Sequence, residues 1–249
     1  MIKLLLGLTL FIVLIGGFIF FNSQNRGREK TNQTQTRFEN PKKSAHYESN
    51  TPAHGAMLAA PPVNVVIDFN FDLAKGSEIT AGPWCEPGAN CQAVSYEDGG
   101  TIIDENKLSM RTKLIPDISD GKYQVGYKAC WPDGSCHDGH FQFVIDRSQV
   151  KTYEDLTGQN EVKVSLSGIK FMPINIKVSR GTKITWLNDD EVEHYVNTDP
   201  HPAHTYYREQ NSNVLKKGDT YSLTFNMPGV YPYHCSAHAD SMSGSIVVE

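Results

Sequence analysis

Beyond residue 45 the chain is a series of short runs of β-forming residues, broken every few positions by Gly, Pro, Asn or Asp. Val63–Phe71 (VNVVIDFNF), Gln124–Ala129 (QVGYKA) and His140–Ile145 (HFQFVI) make a first set. Val162–Ser167, Asn175–Val178, Lys183–Leu187, Thr220–Phe225 and Ser245–Val248 make a second, punctuated by Gly181, Gly218, Gly229 and Gly244. No stretch holds the period of an amphipathic helix. Alternation between turn signals predicts strands, and many short strands predict β-sandwiches. The pattern divides into two all-β domains, 45–147 and 161–249, joined by a short linker at 148–160. There is no internal repeat.

The first 44 residues differ. Leu4–Phe21 (LLLGLTLFIVLIGGFIFF) carries no charge, and its about 18 residues would rise ~27 Å as a helix, close to a ~30 Å hydrocarbon core. No small-x-small cleavage site follows Phe21 and no cysteine offers itself for lipidation, so 1–22 is predicted to be an uncleaved transmembrane signal anchor. Residues 23–44 turn polar and predict a flexible linker, able to reach at most ~70 Å. Arg26, Arg28 and Lys30 follow the apolar segment and only Lys3 precedes it, which taken alone would keep the domains in the cytoplasm. The cysteine and metal chemistry below argues the opposite side, the periplasm or cell exterior.

With 249 residues the chain has room for two domains of ordinary size. Its formal net charge of −5, with no basic stripe after the first thirty residues, sets nucleic acid aside as a partner. The chemistry concentrates near the C-terminus, where YPYHCSAHADSMSG carries Cys235, His238 and Met242, and NDDEVEHYV upstream carries His194. A copper that cycles between Cu(I), which prefers soft thiolate, and Cu(II), which prefers imidazole, is served by two His and one Cys with a weak axial Met. That pattern predicts one type 1 copper bound by His194, Cys235, His238 and Met242. A dinuclear copper centre would need a second Cys four residues after the first, where Ala239 stands. A zinc site would want more Cys or His and no Met. His234 points to the opposite face of its strand from Cys235 and is read as a non-ligand. His201 and His204 are read as solvated loop residues. Asp189, Asp190, Glu191 and Glu193 either steer a cationic partner or form a solvated turn.

On these residues the segment from Val162 to Glu249 resembles the plastocyanin/azurin family of cupredoxins. The family's Phe-x-Pro is Phe171-Met172-Pro173. Its Gly-x-x-Val-Thr-Trp-x-Asn is Gly181 to Asn188, with Ile184 for the Val. Its Phe-x-x-Pro-Gly-x-Tyr-x-Tyr-x-Cys is Phe225, Pro228, Gly229, Tyr231, Tyr233 and Cys235. The resemblance implies a Greek-key sandwich with copper at one end and electrons entering through the edge of His238. Two features depart from it. Three residues separate His238 from Met242 where the commonest small relatives have four or two, and Tyr195 follows His194 where relatives often have Asn or Thr.

With Cys235 assigned to copper, Cys85, Cys91, Cys130 and Cys136 remain, an even number suited to an oxidising compartment. Of three connectivities the local disulfide pairs Cys85–Cys91 and Cys130–Cys136, each closing a short Gly/Pro turn, are favoured, with crossed pairing open. AHYESNTPAHGAMLAAPPVNVVIDFNFDLAKGSEI and DGKYQVGYKACWPDGSCHDGHFQFVID resemble the two ends of the CopC copper-resistance family, over Ala45–Asp146. That implies an Ig-like sandwich in a copper-handling setting. The family's metal site carries over poorly. His46 is internal to the chain, the family's Asp-Gly-His falls on Asp133-Gly134-Ser135, and a displaced His137-Asp138-Gly139-His140 follows. A second copper in this half would have to draw on His46, His54, His137 or His140, and the domain is read first as structural or partner-binding. The whole predicts a membrane-anchored, exported electron carrier with a redox partner protein, and no enzyme. The alternative is a periplasmic carrier that delivers or sequesters copper with a trafficking partner. Multicopper oxidases need paired His-x-His motifs, and none is present.

Overall fold

The computed structural model describes residues 37–249. The anchor expected at 1–22 and most of the expected linker at 23–44 lie outside the described residues. Among the described residues the fold is all-β, with helix confined to the 3-10 turns Arg147–Thr152 and Ser236–His238. None of these residues forms a helix long and apolar enough to cross a membrane.

The first half contains β1 (Tyr47–Thr51), β2 (Met57–Leu58), β3 (Asn64–Phe69), β4 (Glu78–Pro83), β5 (Ile102–Ile103), β6 (Ser109–Lys113), β7 (Gly121–Cys130) and β8 (Cys136–Ile145). They form two four-stranded sheets, in the orders β1-β3-β6-β5 and β2-β8-β7-β4. Val65, Ile67 and Phe69 of β3 face Val125 and Tyr127 of β7 and Phe141, Phe143 and Ile145 of β8 across one core. Alternate positions of each strand point inward, as the period of two requires. The β7–β8 hairpin is closed at its turn by a disulfide between Cys130 and Cys136, which sit opposite one another in register. Cys85 and Cys91 form the other disulfide. The expected linker is not free where it is described. Lys42 and His140 exchange both backbone hydrogen bonds, at 3.0 and 2.9 Å, along the edge of β8 that β2 leaves open.

The second half contains β9 (Glu154–Asp155), β10 (Glu161–Leu166), β11 (Phe171–Met172), β12 (Asn175–Val178), β13 (Lys183–Asn188), β14 (Asn197–Thr198), β15 (Thr220–Thr224), β16 (Gly229–His234) and β17 (Ser243–Val248). One sheet runs β11-β10-β13-β15 and the other β14-β16-β17-β12-β9. Val164, Leu166, Ile184 and Trp186 of the first pack on Ile176, Tyr231, Tyr233 and Ile246 of the second. The segment 148–160 is built into this half rather than bridging it loosely, because β9 pairs with β12 and Leu156 packs against the core.

β3 is buried on both faces, which explains why VNVVIDF does not alternate in polarity. Its Val66, with Val63 just before it, joins the core of the second half. Around them the Asn64 amide donates to the Tyr206 carbonyl at 2.9 Å and the Val63 N–H donates to the Tyr206 hydroxyl at 2.9 Å. That hydroxyl donates onward to the Val230 carbonyl at 2.7 Å. Thr205 Oγ1 donates to Asp68 at 2.9 Å, and Arg208 pairs with Asp104. Gly229 lies at the same junction with φ +141°, where a Cβ would stand 2.6 Å from Val63 Cγ1 and 2.8 Å from the Pro61 carbonyl oxygen. Gly229→Ala is therefore expected to lower unfolding stability by about 1–3 kcal/mol. An unchanged denaturation midpoint would show that the junction is not tightly packed.

Candidate metal centre

The centre is built by one short loop and one bridge residue. β16 ends at His234, Cys235 follows, the 3-10 turn carries His238, and Met242 stands just before β17. The loop closes on itself: the Cys235 N–H donates to the Met242 carbonyl, and the N–H groups of His238 and Met242 donate to the carbonyls of Cys235 and His238, all at 2.9 Å. His194 arrives from the other side, fixed by paired backbone bonds with Leu215 at 3.0 and 2.8 Å. Asn188 is fully buried and organises the turn before His194. Its amide donates to the carbonyls of Val192 and Leu215, both at 2.8 Å, and its side-chain oxygen accepts from the Asp190 N–H.

Cys235 is 0% exposed. Its Sγ stands 3.5 Å from Nδ1 of His194 and 3.5 Å from Nδ1 of His238. A metal bonded to sulfur at about 2.3 Å and nitrogen at about 2.0 Å, with ligand angles of about 110–120°, separates those atoms by about 3.5–3.7 Å. The three donors therefore fit a shared ion, and they form one of two groups of metal-ligating side chains among the described residues. The Tyr195 N–H donates to the same sulfur at 3.3 Å. Met242 is 1% exposed and packs in the core beside the cysteine. His194 is buried, whereas His238 is half-buried.

His194 has a partner that the sequence reading did not assign. Its Nε2 lies 2.8 Å from an Asp190 carboxylate oxygen. Asp190 also accepts the N–H groups of Ile169 at 3.0 Å and Gly168 at 2.7 Å. The Ile169 and Gly168 N–H groups, with His194, hold the Asp190 pKa down at about 2 against the opposing effect of burial. The carboxylate keeps a proton on Nε2 and leaves Nδ1 free to face the sulfur. Of the acidic run only Asp190 is partly enclosed; Asp189, Glu191 and Glu193 are exposed, with Asp189 accepting from Ser165 and Glu191 paired with Lys217.

The four histidines considered for a second copper are not gathered into a ligand group. His46 bonds Asn70 at 3.1 Å and stacks on Phe71. His54 accepts the Gln142 N–H at 3.2 Å, and His140 lies in the same 370 Å³ groove. His137 is exposed near the hairpin turn. It stands three residues from His140 on β8, so the two leave opposite faces.

Residues 47–146 match the family model of the CopC domain, and residues 158–249 match that of the copper binding proteins of the plastocyanin/azurin family. The amicyanin-alpha of Methylorubrum extorquens is 33% identical over 92 residues, covering 37% of this chain and 73% of that protein. The chain belongs to the plastocyanin/azurin family. The halocyanin of Natronomonas pharaonis is similar to this cupredoxin as well, 32% identical over 117 residues that span 43% of this chain and 70% of that one. A purple cupredoxin structure from Nitrosopumilus maritimus is 27% identical, with 35% of this chain and 99% of that chain covered at a TM-score of 0.32. The cofactor of the family, and of this cupredoxin, is type 1 copper. Asp190→Ala is expected to lower Cu(II) affinity by about 10–100-fold in chelator competition; an unchanged affinity would mean that the carboxylate does not orient His194.

Proposed function

We propose that the chain is a membrane-anchored, exported blue copper protein that holds one type 1 copper and passes single electrons, without transforming a substrate. Two Nδ1 atoms at equal distance from one buried sulfur carry this reading. His194, Cys235 and His238 are the strong ligands and Met242 the weak axial one, a set that serves both oxidation states. Fixed by backbone ties on every side, the ligands would reorganise little as the charge changes. His238, half-buried where His194 is enclosed, is the edge through which a redox partner protein exchanges the electron.

In this reading residues 1–22 are the anchor and 23–44 the linker. An Ig-like CopC-type domain over 45–147, the connection 148–160 and a Greek-key cupredoxin over 161–249 complete the chain. The domains face the periplasm or cell exterior, where the Cys85–Cys91 and Cys130–Cys136 disulfides persist. The CopC match favours a second reading, a carrier that delivers or sequesters copper. The ungathered histidines of that half weigh against it.

The copper-loaded full chain is expected to show the intense blue band of a Cu(II)–thiolate bond, and Cys235→Ser to abolish it. A blue band that survives Cys235→Ser would sink the ligand assignment. A colourless Cu(I)-only protein that yields its metal to a chelator would favour the carrier.

A further inference from the structure

A second group of imidazoles lies one residue from the copper ligand Cys235. His234 precedes the cysteine on β16, leaves the strand on the other face, and is buried. The pairing of Asn197 and Thr198 with His234 and Tyr233 brings the next turn of chain over it. That turn supplies His201 and His204. His204 Nε2 stands 3.2 Å from His234 Nε2, and the His201 ring centroid lies 5.5 Å from that of His204 and 5.3 Å from that of His234. One ring nitrogen from each of the three lies within 4.8 Å of the others.

The surroundings are those of a ligand set rather than of a solvated loop. A four-coordinate ion bonded to nitrogen at about 2.0–2.1 Å places its donors about 3.3–3.4 Å apart, close to the 3.2 Å between His204 and His234. Asp199 lies 2.8 Å from His234 Nδ1, which puts the proton on that nitrogen and leaves Nε2 as the donor atom. Ser236 Oγ, held by the Asn197 amide at 2.8 Å, stands 3.0 Å from His204 Nε2 and adds an oxygen donor. His204 is itself fixed. Its backbone is left-handed at φ +52°, its N–H donates to Pro200 at 2.7 Å, and its carbonyl accepts from Asn211 at 3.0 Å. A non-glycine residue held in that conformation is uncommon and marks a place that the surrounding structure over-determines. Thr205 and Tyr206, the next two residues, are pinned to the first half of the chain.

We infer that His201, His204 and His234 form a second metal site, for a divalent transition-metal ion that prefers imidazole. Copper(II) is the ion assigned, because it binds nitrogen sites most strongly among the divalent first-row metals. Three imidazoles and the Ser236 hydroxyl make up a four-coordinate set, and with His201 exposed and His204 half-buried it lies nearer the surface than the enclosed centre at Cys235. An ion there would share the His234–Cys235 peptide with the type 1 copper.

The test is to titrate the full chain with Cu(II) against a competing chelator, counting bound metal and recording electron paramagnetic resonance spectra. Wild type is expected to hold two coppers per chain, the second with the wide hyperfine splitting of a nitrogen-bound ion. The double variant His201→Ala/His204→Ala is expected to hold one copper while keeping the blue band, which reports that the fold and the first centre are intact. Cys235→Ser should keep the second copper, so the two centres are counted apart. A single copper in wild type, or the same count in the double variant, overturns the inference. Zinc displacing copper from this site at equal concentration overturns its assignment to copper.

Discussion

The burial of one sulfur atom organises the C-terminal half. Cys235 has no exposed surface, so a charged thiolate there must be met by the protein and the metal rather than by water. The Tyr195 N–H meets it from the first side and two Nδ1 atoms converge around it, with room at their centre for an ion. Each of those neighbours needs its own anchor. Leu215 and Asp190 hold His194, and Asn188 holds the turn that presents it. The loop from Cys235 to Met242 is tied to itself, and Met242 is packed into the same core.

The first half is coupled to the second through β3, the residues just before it from Ala59 to Val63, and the Asp104–Arg208 pair. β3 turns Val65, Ile67 and Phe69 toward its own sandwich and Val66 toward the other. Tyr206 and Thr205, in the segment that meets β3, directly follow His204, whose ring lies beside His234. The junction and the second imidazole group are therefore one stretch of chain. This gives the CopC-type half a structural role toward the cupredoxin, whatever its own histidines do.

Much of this was legible in the sequence because the signals were local. Strands with clean alternation, such as Val162–Ser167 and Lys183–Leu187, lie close to β10 and β13, and Cys235, His238 and Met242 fall within one loop whose spacing reflects its chemistry. β16 carries no clean alternation, since GVYPYH mixes Gly, Pro and His with its aromatics. The roles that depend on distant pairing were not legible. Asp190 looked like one carboxylate in a surface run until the Gly168 and Ile169 N–H groups were placed around it. Lys42, in a polar stretch, finds its partner in the open edge of β8. His201 and His204 read as solvated because β14–β16 pairing, not sequence spacing, carries them to His234.

Cyclic voltammetry of the copper-loaded full chain tests the electron-carrier account most directly, because it reads the transfer itself. A ligand set tied by the Leu215, Asp190 and loop hydrogen bonds predicts a reversible one-electron wave from the Cys235 centre, with copper retained through repeated cycles. An irreversible wave, with copper lost once it is reduced, would contradict the account and point to a protein that moves the metal rather than the electron.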